Sequence, residues 1–232
     1  MSIIEDNINF VKDNIKKACE KVNRSPEEVN LIAVTKTIDA ERINTALRTS
    51  IKNIGENKVQ EIMEKYDKIE CEPNWHLIGH LQTNKVKYII DKVDMIHSVD
   101  SIKLAKEIDK RAKKVSRVMD VLVQVNIADE DTKFGLAEDE LDGFIKEISI
   151  LENVRVQGLM AIVPYVIDPE DVREHFRKMK DIFDRLKNST FKNVYMNYLS
   201  MGMTNDYMVA IEEGANMVRV GTGIFGERDY SK

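Results

Sequence analysis

Apolar positions along this chain alternate between two periods. Short runs rich in β-branched residues, at 31–35, 52–54, 75–78, 95–98, 119–126, 156–162, 194–199 and 217–221, read as strands. Between them lie stretches with the spacing of amphipathic helices, at 40–48, 58–67, 83–91, 102–115, 138–149, 169–186 and 205–213. A further helix precedes the first strand, because Ile4, Ile8, Val11, Ile15 and Ala18 share one face between residue 3 and about residue 22. Strands that recur with a helix between each pair require parallel crossovers, since a tight hairpin joins only antiparallel neighbours. The pattern predicts an α/β protein: a single (β/α)8 TIM barrel with an extra N-terminal helix, spanning residues 1–232 as one domain. An open doubly wound sheet is the rival. It needs a glycine-rich turn after its first strand, and Lys36-Thr37-Ile38-Asp39 stands there instead.

Composition narrows the function classes. A formal charge of -5 argues against nucleic acid as a partner, although Lys103, Lys106, Lys110, Arg111, Lys113, Lys114 and Arg117 form a basic run. Leu104, Ile108 and Val115 recur within that run at helical spacing, so it reads as a solvated helix face. Cys19 and Cys71 stand alone, without metal-ligand spacing or a disulfide framework, which fits a reducing cytoplasm. The mixed acidic N-terminus lacks the features of a signal peptide, and no apolar run is long enough to cross a bilayer, so no membrane role is expected. His76, His80, His97 and His175 are scattered, and no metal site is expected.

In a barrel, chemistry belongs at the carboxyl ends of the strands. Lys36 closes the first strand; there a partly desolvated amine becomes nucleophilic toward aldehydes, or else the side chain merely reaches out to water. Ser200-Met201-Gly202 follows the seventh strand, and Thr204-Asn205-Asp206 opens the next helix. Gly221-Thr222-Gly223 follows the eighth. These two glycine-bearing loops read either as an anion cradle, where such barrels bind phosphate, or as turns that only close the barrel. Arg219 shares the parity of Met217 and Gly221, and so either pairs with an acid such as Glu56 or donates to a ligand acceptor. An amine, an anion cradle and an arginine together describe a site for pyridoxal 5′-phosphate.

The segments Ala33-Val-Thr-Lys36, Gly55-Glu-Asn57, Trp75-His-Leu-Ile-Gly-His80-Leu-Gln-Thr-Asn-Lys85, Lys133-Phe-Gly135, Gly158-Leu-Met160, Leu199-Ser-Met-Gly-Met203 with Asp206, and Arg219-Val-Gly-Thr-Gly-Ile-Phe-Gly226 resemble the YggS/PROSC family of pyridoxal-phosphate homeostasis proteins. The resemblance implies that Lys36 forms a Schiff base with the cofactor. It places the phosphate on Ser200, the backbone of Met201 and Gly202, and Gly221 with Thr222, and sets Arg219 near the pyridine nitrogen. Asn57 and Met160 take lining roles. His80 is open between lining the cofactor and a structural or capping role.

The implied function is cofactor holding or delivery in vitamin B6 homeostasis without substantial turnover, by a cytoplasmic monomer that meets pyridoxal-phosphate-dependent apo-enzymes transiently. The same barrel and Arg-x-Gly ending are similar to the N-terminal domain of alanine racemases, so amino-acid racemisation is the first alternative. It needs a second acid–base group opposite Lys36, and none of Tyr165, Tyr195, Tyr198 or Tyr207 is placed there by the sequence. An aldolase using Lys36 against a sugar phosphate is the second.

Overall fold

A computed structural model describes residues 2–128 and 134–227. Eight parallel strands close into a barrel in sequence order. They are β1 (Asn30–Val34), β2 (Asn53–Glu56), β3 (Asn74–Leu77), β4 (Met95–Val99), β5 (Met119–Val125), β6 (Val154–Ala161), β7 (Val194–Met203) and β8 (Met217–Val220). Pairing of Leu31 with Val218 and of Ala33 with Val220 seals the ring. The helices are α1 (Ile3–Lys21), α2 (Ala40–Leu47), α3 (Val59–Lys65), α4 (Ile102–Lys114), α5 (Leu141–Ile148), α6 (Arg173–Lys187), α7 (Tyr207–Glu212) and α8 (Thr222–Phe225). The expected fold class is therefore the observed one, with α1 as the extra element. Ser2 caps α1, accepting from the Glu5 N–H, and the buried face Ile4, Ile8, Val11, Ile15 and Ala18 is the one the periodicity marks.

Strand parity separates two cores. Leu31, Ala33, Ile54, Leu77, Val121 and Leu159 pack outward into the helix layer. Ile32, Met95, Leu122, Met160 and Met217 fill the barrel, with Ile162 and Tyr198 against them. Burying such side chains contributes roughly 1.5–3 kcal/mol each before chain entropy is counted. Lys36 continues the Ile32–Val34 parity and so leaves β1 on the interior side, at the mouth.

Four local expectations are corrected. β7 runs to Met203, so Ser200, Met201 and Gly202 belong to the strand itself and not to a loop after it. Its pairing slips between Ser200 and Met203, which carries the strand on past Leu199. The stretch expected as a helix at 83–91 is a tight 3-10 segment, Thr83–Tyr88, and the helix expected from residue 205 begins at Tyr207. Thr222–Phe225 turns once as a helix where a loop was expected.

Candidate active site

Lys36 sits half-buried between two threonines held by a buried charge network. Lys65 Nζ donates to the Thr35 carbonyl, to Glu56 Oε1 and to Glu61 Oε2, each at 2.8 Å. Thr35 Oγ1 also donates to Glu56 Oε1 at 2.7 Å, and the Thr37 N–H donates to Glu61 Oε2 at 2.6 Å. Thr37 takes φ 65°, a left-handed conformation costly for a β-branched residue. The network thus fixes the backbone on both sides of Lys36. Burial raises the Glu56 carboxyl above its usual range even though Lys65 opposes the shift.

At the mouth, a cavity of about 430 Å³ is lined by Val34, Lys36, Tyr165, Met203, Thr204, Asn205, Asp206, Arg219, Gly221 and Thr222. The structure therefore brings Lys36, Arg219, Gly221 and Thr222 together. It adds Thr204, whose Oγ1 accepts from the N–H groups of Gly221 at 3.3 Å and Gly223 at 3.4 Å. These contacts are long and weak, so a stronger acceptor could compete for both N–H groups and for the hydroxyls of Thr204 and Thr222. Gly202 contributes differently. At φ 90° its missing Cβ would stand 2.6 Å from Ala210 Cβ and 2.9 Å from Tyr207 Cα, so the space beside it belongs to α7. Asp206 Oδ1 accepts from the Met203 N–H at 2.6 Å, and both residues line the cavity. Burial raises the Asp206 carboxyl, against the pull of that N–H and of Arg219.

Arg219 is buried, 3% exposed, and turns toward the neighbouring strands β7 and β6. It makes no pair with Glu56, which Lys65 occupies. Its Nη1 donates to Ser200 Oγ at 2.6 Å and its Nη2 to the Ala161 carbonyl at 2.9 Å. Desolvation lowers its pKa to about 10, with Asp206 opposing, so it stays cationic at neutral pH. Ser200 and Met160 are fully buried inside the barrel, Ser200 against Arg219 and Met160 among the interior apolar residues. Met201 faces the outer core. Asn57 and His80 line a separate depression with Lys58, Val59, Gln60, Gln82 and Lys85. The His80 ring stacks on Phe134 at 3.9 Å and lies 3.9 Å from Asp100. Lys133, in the expected Lys133-Phe-Gly135 segment, lies outside the described residues.

Sequence reasoning missed Tyr165 in the cavity and the buried histidines behind Arg219. His97 Nδ1 lies 3.2 Å from Ser200 Oγ, and His97 Nε2 lies 2.9 Å from His76 Nδ1. Their signal is weak in one dimension, where they stand as two lone histidines 21 residues apart; the pairing of His76 with Met95 and of Leu77 with Ile96 brings their strands together. No group of three or more metal-ligating side chains occurs among the described residues. No helix among them is long and apolar enough to cross a membrane.

Residues 7–229 match the family model described as the N-terminal domain of alanine racemase. A pyridoxal phosphate homeostasis protein of Aquifex aeolicus is 45% identical over 226 residues, covering 97% of this chain and 98% of that one. The structure of PipY from Synechococcus elongatus PCC7942 with pyridoxal phosphate bound is 32% identical and superposes with a TM-score of 0.80, covering 91% of this chain and 100% of PipY. An alanine racemase of Clostridium difficile shares the fold, with a TM-score of 0.72 at 18% identity over 96% of this chain and 60% of its own.

Proposed function

Because this chain belongs to the family of pyridoxal phosphate homeostasis proteins, we propose that it binds pyridoxal 5′-phosphate at the barrel mouth and holds or delivers it without substantial turnover. The observation that carries the reading is the convergence of Lys36, Arg219, Thr204, Gly221 and Thr222 on one cavity. These residues fit the group: an amine, a fixed cation and a wall of hydroxyl and N–H donors match an aldehyde, a pyridine nitrogen and a phosphate. When bound, the cofactor supplies an aldehyde that an amine captures and a ring that can accept electron density.

Lys36 supplies the amine and holds the aldehyde carbon as a Schiff base. Gly221, Gly223 and the hydroxyls of Thr204 and Thr222 donate to the phosphate, and the backbone of Met201 and Gly202 shapes that wall. Arg219 faces the ring nitrogen as a donor and keeps it unprotonated, which weakens the ring as an electron sink and disfavours carbanion chemistry. Ser200 works behind Arg219, and Met160 supports the barrel floor. Asn57 and His80 belong to the rim. The protein acts as one domain over residues 1–232, as a cytoplasmic monomer in transient contact with pyridoxal-phosphate-dependent apo-enzymes.

Racemisation gains one observation, the presence of Tyr165 in the cavity with Lys36. That tyrosine is 85% exposed, which denies it the desolvated setting of a tuned acid–base group. Incubation with single amino acids followed by chiral analysis tests the choice. Absence of enantiomer formation supports the carrier reading, whereas turnover at ordinary enzymatic rates that is lost in Tyr165→Phe establishes the racemase.

A further inference from the structure

We propose that His97 is a positioning residue for Arg219, acting through the hydroxyl of Ser200. The inference deepens the cofactor reading above, and its role at the ring nitrogen rests on that reading. Its first ground is donor direction. A guanidinium carries donors only, so Ser200 Oγ accepts in the 2.6 Å contact with Arg219 Nη1. We assign the serine proton to the 3.2 Å contact with His97 Nδ1, which then accepts. An imidazole that accepts at Nδ1 and is neutral carries its proton at Nε2, and donates it across 2.9 Å to His76 Nδ1. His76 in turn carries its proton at Nε2, the atom that has no hydrogen-bond partner among the described residues.

The second ground is burial. Ser200, His97 and His76 are 0%, 0% and 4% exposed, so solvent offers no alternative partner along the run behind Arg219, which is itself 3% exposed in the cavity wall. Both imidazoles are kept neutral: burial lowers His76 to about 4, and burial with His76 and the Arg219 cation holds His97 well below the ordinary histidine value. Every proton in the chain therefore points away from Arg219, across β8, β7, β4 and β3. Two consequences follow. The Ser200 proton is committed to His97, so Ser200 orients Arg219 and leaves anion binding to the Thr204 and Thr222 side of the cavity. The guanidinium plane is fixed by two anchors, the Ala161 carbonyl and a serine whose own rotation His97 stops.

The test uses the full chain with two substitutions at His97 and one at Ser200. His97→Leu removes the acceptor at similar volume, whereas His97→Asn replaces it with an amide oxygen near the Nδ1 position. In 15N NMR spectra of protein without added cofactor, His76 and His97 are expected as neutral Nε2–H tautomers. Slow Arg219 guanidinium rotation is expected in the wild type, lost in His97→Leu and regained in His97→Asn. With pyridoxal phosphate loaded, release is expected to be about ten-fold faster in His97→Leu and in Ser200→Ala, as for one lost hydrogen bond to a charged group, and the double variant no faster than either. His97→Asn should return release to near the wild-type rate. An Nδ1–H tautomer at His97, unchanged Arg219 signals in His97→Leu, or additive effects in the double variant overturn the proposal. If His97→Leu fails to fold, Ser200→Ala and the tautomer spectra decide it. A wild type that never retains pyridoxal phosphate defeats the cofactor reading instead, and the unloaded spectra still judge the link between His97 and Arg219.

Discussion

Lys65 Nζ stands 2.8 Å from Glu56 Oε1, a buried ion pair whose ammonium also grips the Thr35 carbonyl directly before Lys36. The relationship joins stability to the site, because the charges that would be costly alone hold the backbone from which the amine projects. Removing one partner of a buried pair typically costs roughly 3–5 kcal/mol, since the other charge is left unpaired. Lys65→Met should therefore lower the urea midpoint sharply. Adding Glu56→Gln should recover much of the loss by ending the unpaired charge, and a single variant with wild-type stability would show the pair to be dispensable.

The buried histidines predict an acid-labile fold. His76 has a native pKa of about 4 against an ordinary 6.5, so between those values the unfolded chain takes up a proton that the native site refuses. Stability contributed by keeping it neutral is present above about pH 6.5 and is lost as pH falls toward 4, a loss of about 3 kcal/mol by linkage. Glu56 and Asp206 have raised pKa values and work in the opposite sense, gaining relative stability as they protonate. The comparison of wild type with His76→Gln in urea titrations from pH 7 to pH 4 separates the two. The difference in pH dependence should match the histidine contribution, and parallel curves would refute it.

Gly202 is expected to be intolerant of a side chain. Alanine there would meet Ala210 Cβ and Tyr207 Cα at 2.6 and 2.9 Å in a left-handed conformation. Gly202→Ala should destabilise by roughly 2 kcal/mol or more and displace α7 from β7. A thermal midpoint within a degree of the wild type would show that the helix moves away freely.

The barrel was legible because its signal is periodic: 31–35 and 217–221 lie within one residue of β1 and β8, and parity alone put Arg219 with Met217, inside the ring. What failed was decided by local backbone geometry. The slipped pairing at Ser200 and Met203 extends β7 through residues that look like a glycine turn, and the 3-10 course of 83–88 has the same apolar spacing as an α-helix. At the site, Lys36 and the last two loops announced themselves through strand ends and glycines. The run behind Arg219 did not, since His76 and His97 become partners only through strand register. Tyr165 reached the cavity from a loop that carries no periodic signal.

The central claim is that Lys36 holds pyridoxal phosphate covalently at this mouth. The most direct measurement is the absorption spectrum of pyridoxal-phosphate-reconstituted protein beside Lys36→Ala, followed by borohydride reduction and peptide mass analysis. The account predicts a band near the visible edge in the wild type only, and after reduction a pyridoxyl-phosphate adduct on the peptide carrying Lys36. A wild type that stays colourless on reconstitution, or an adduct on another lysine with the band retained in Lys36→Ala, would contradict it.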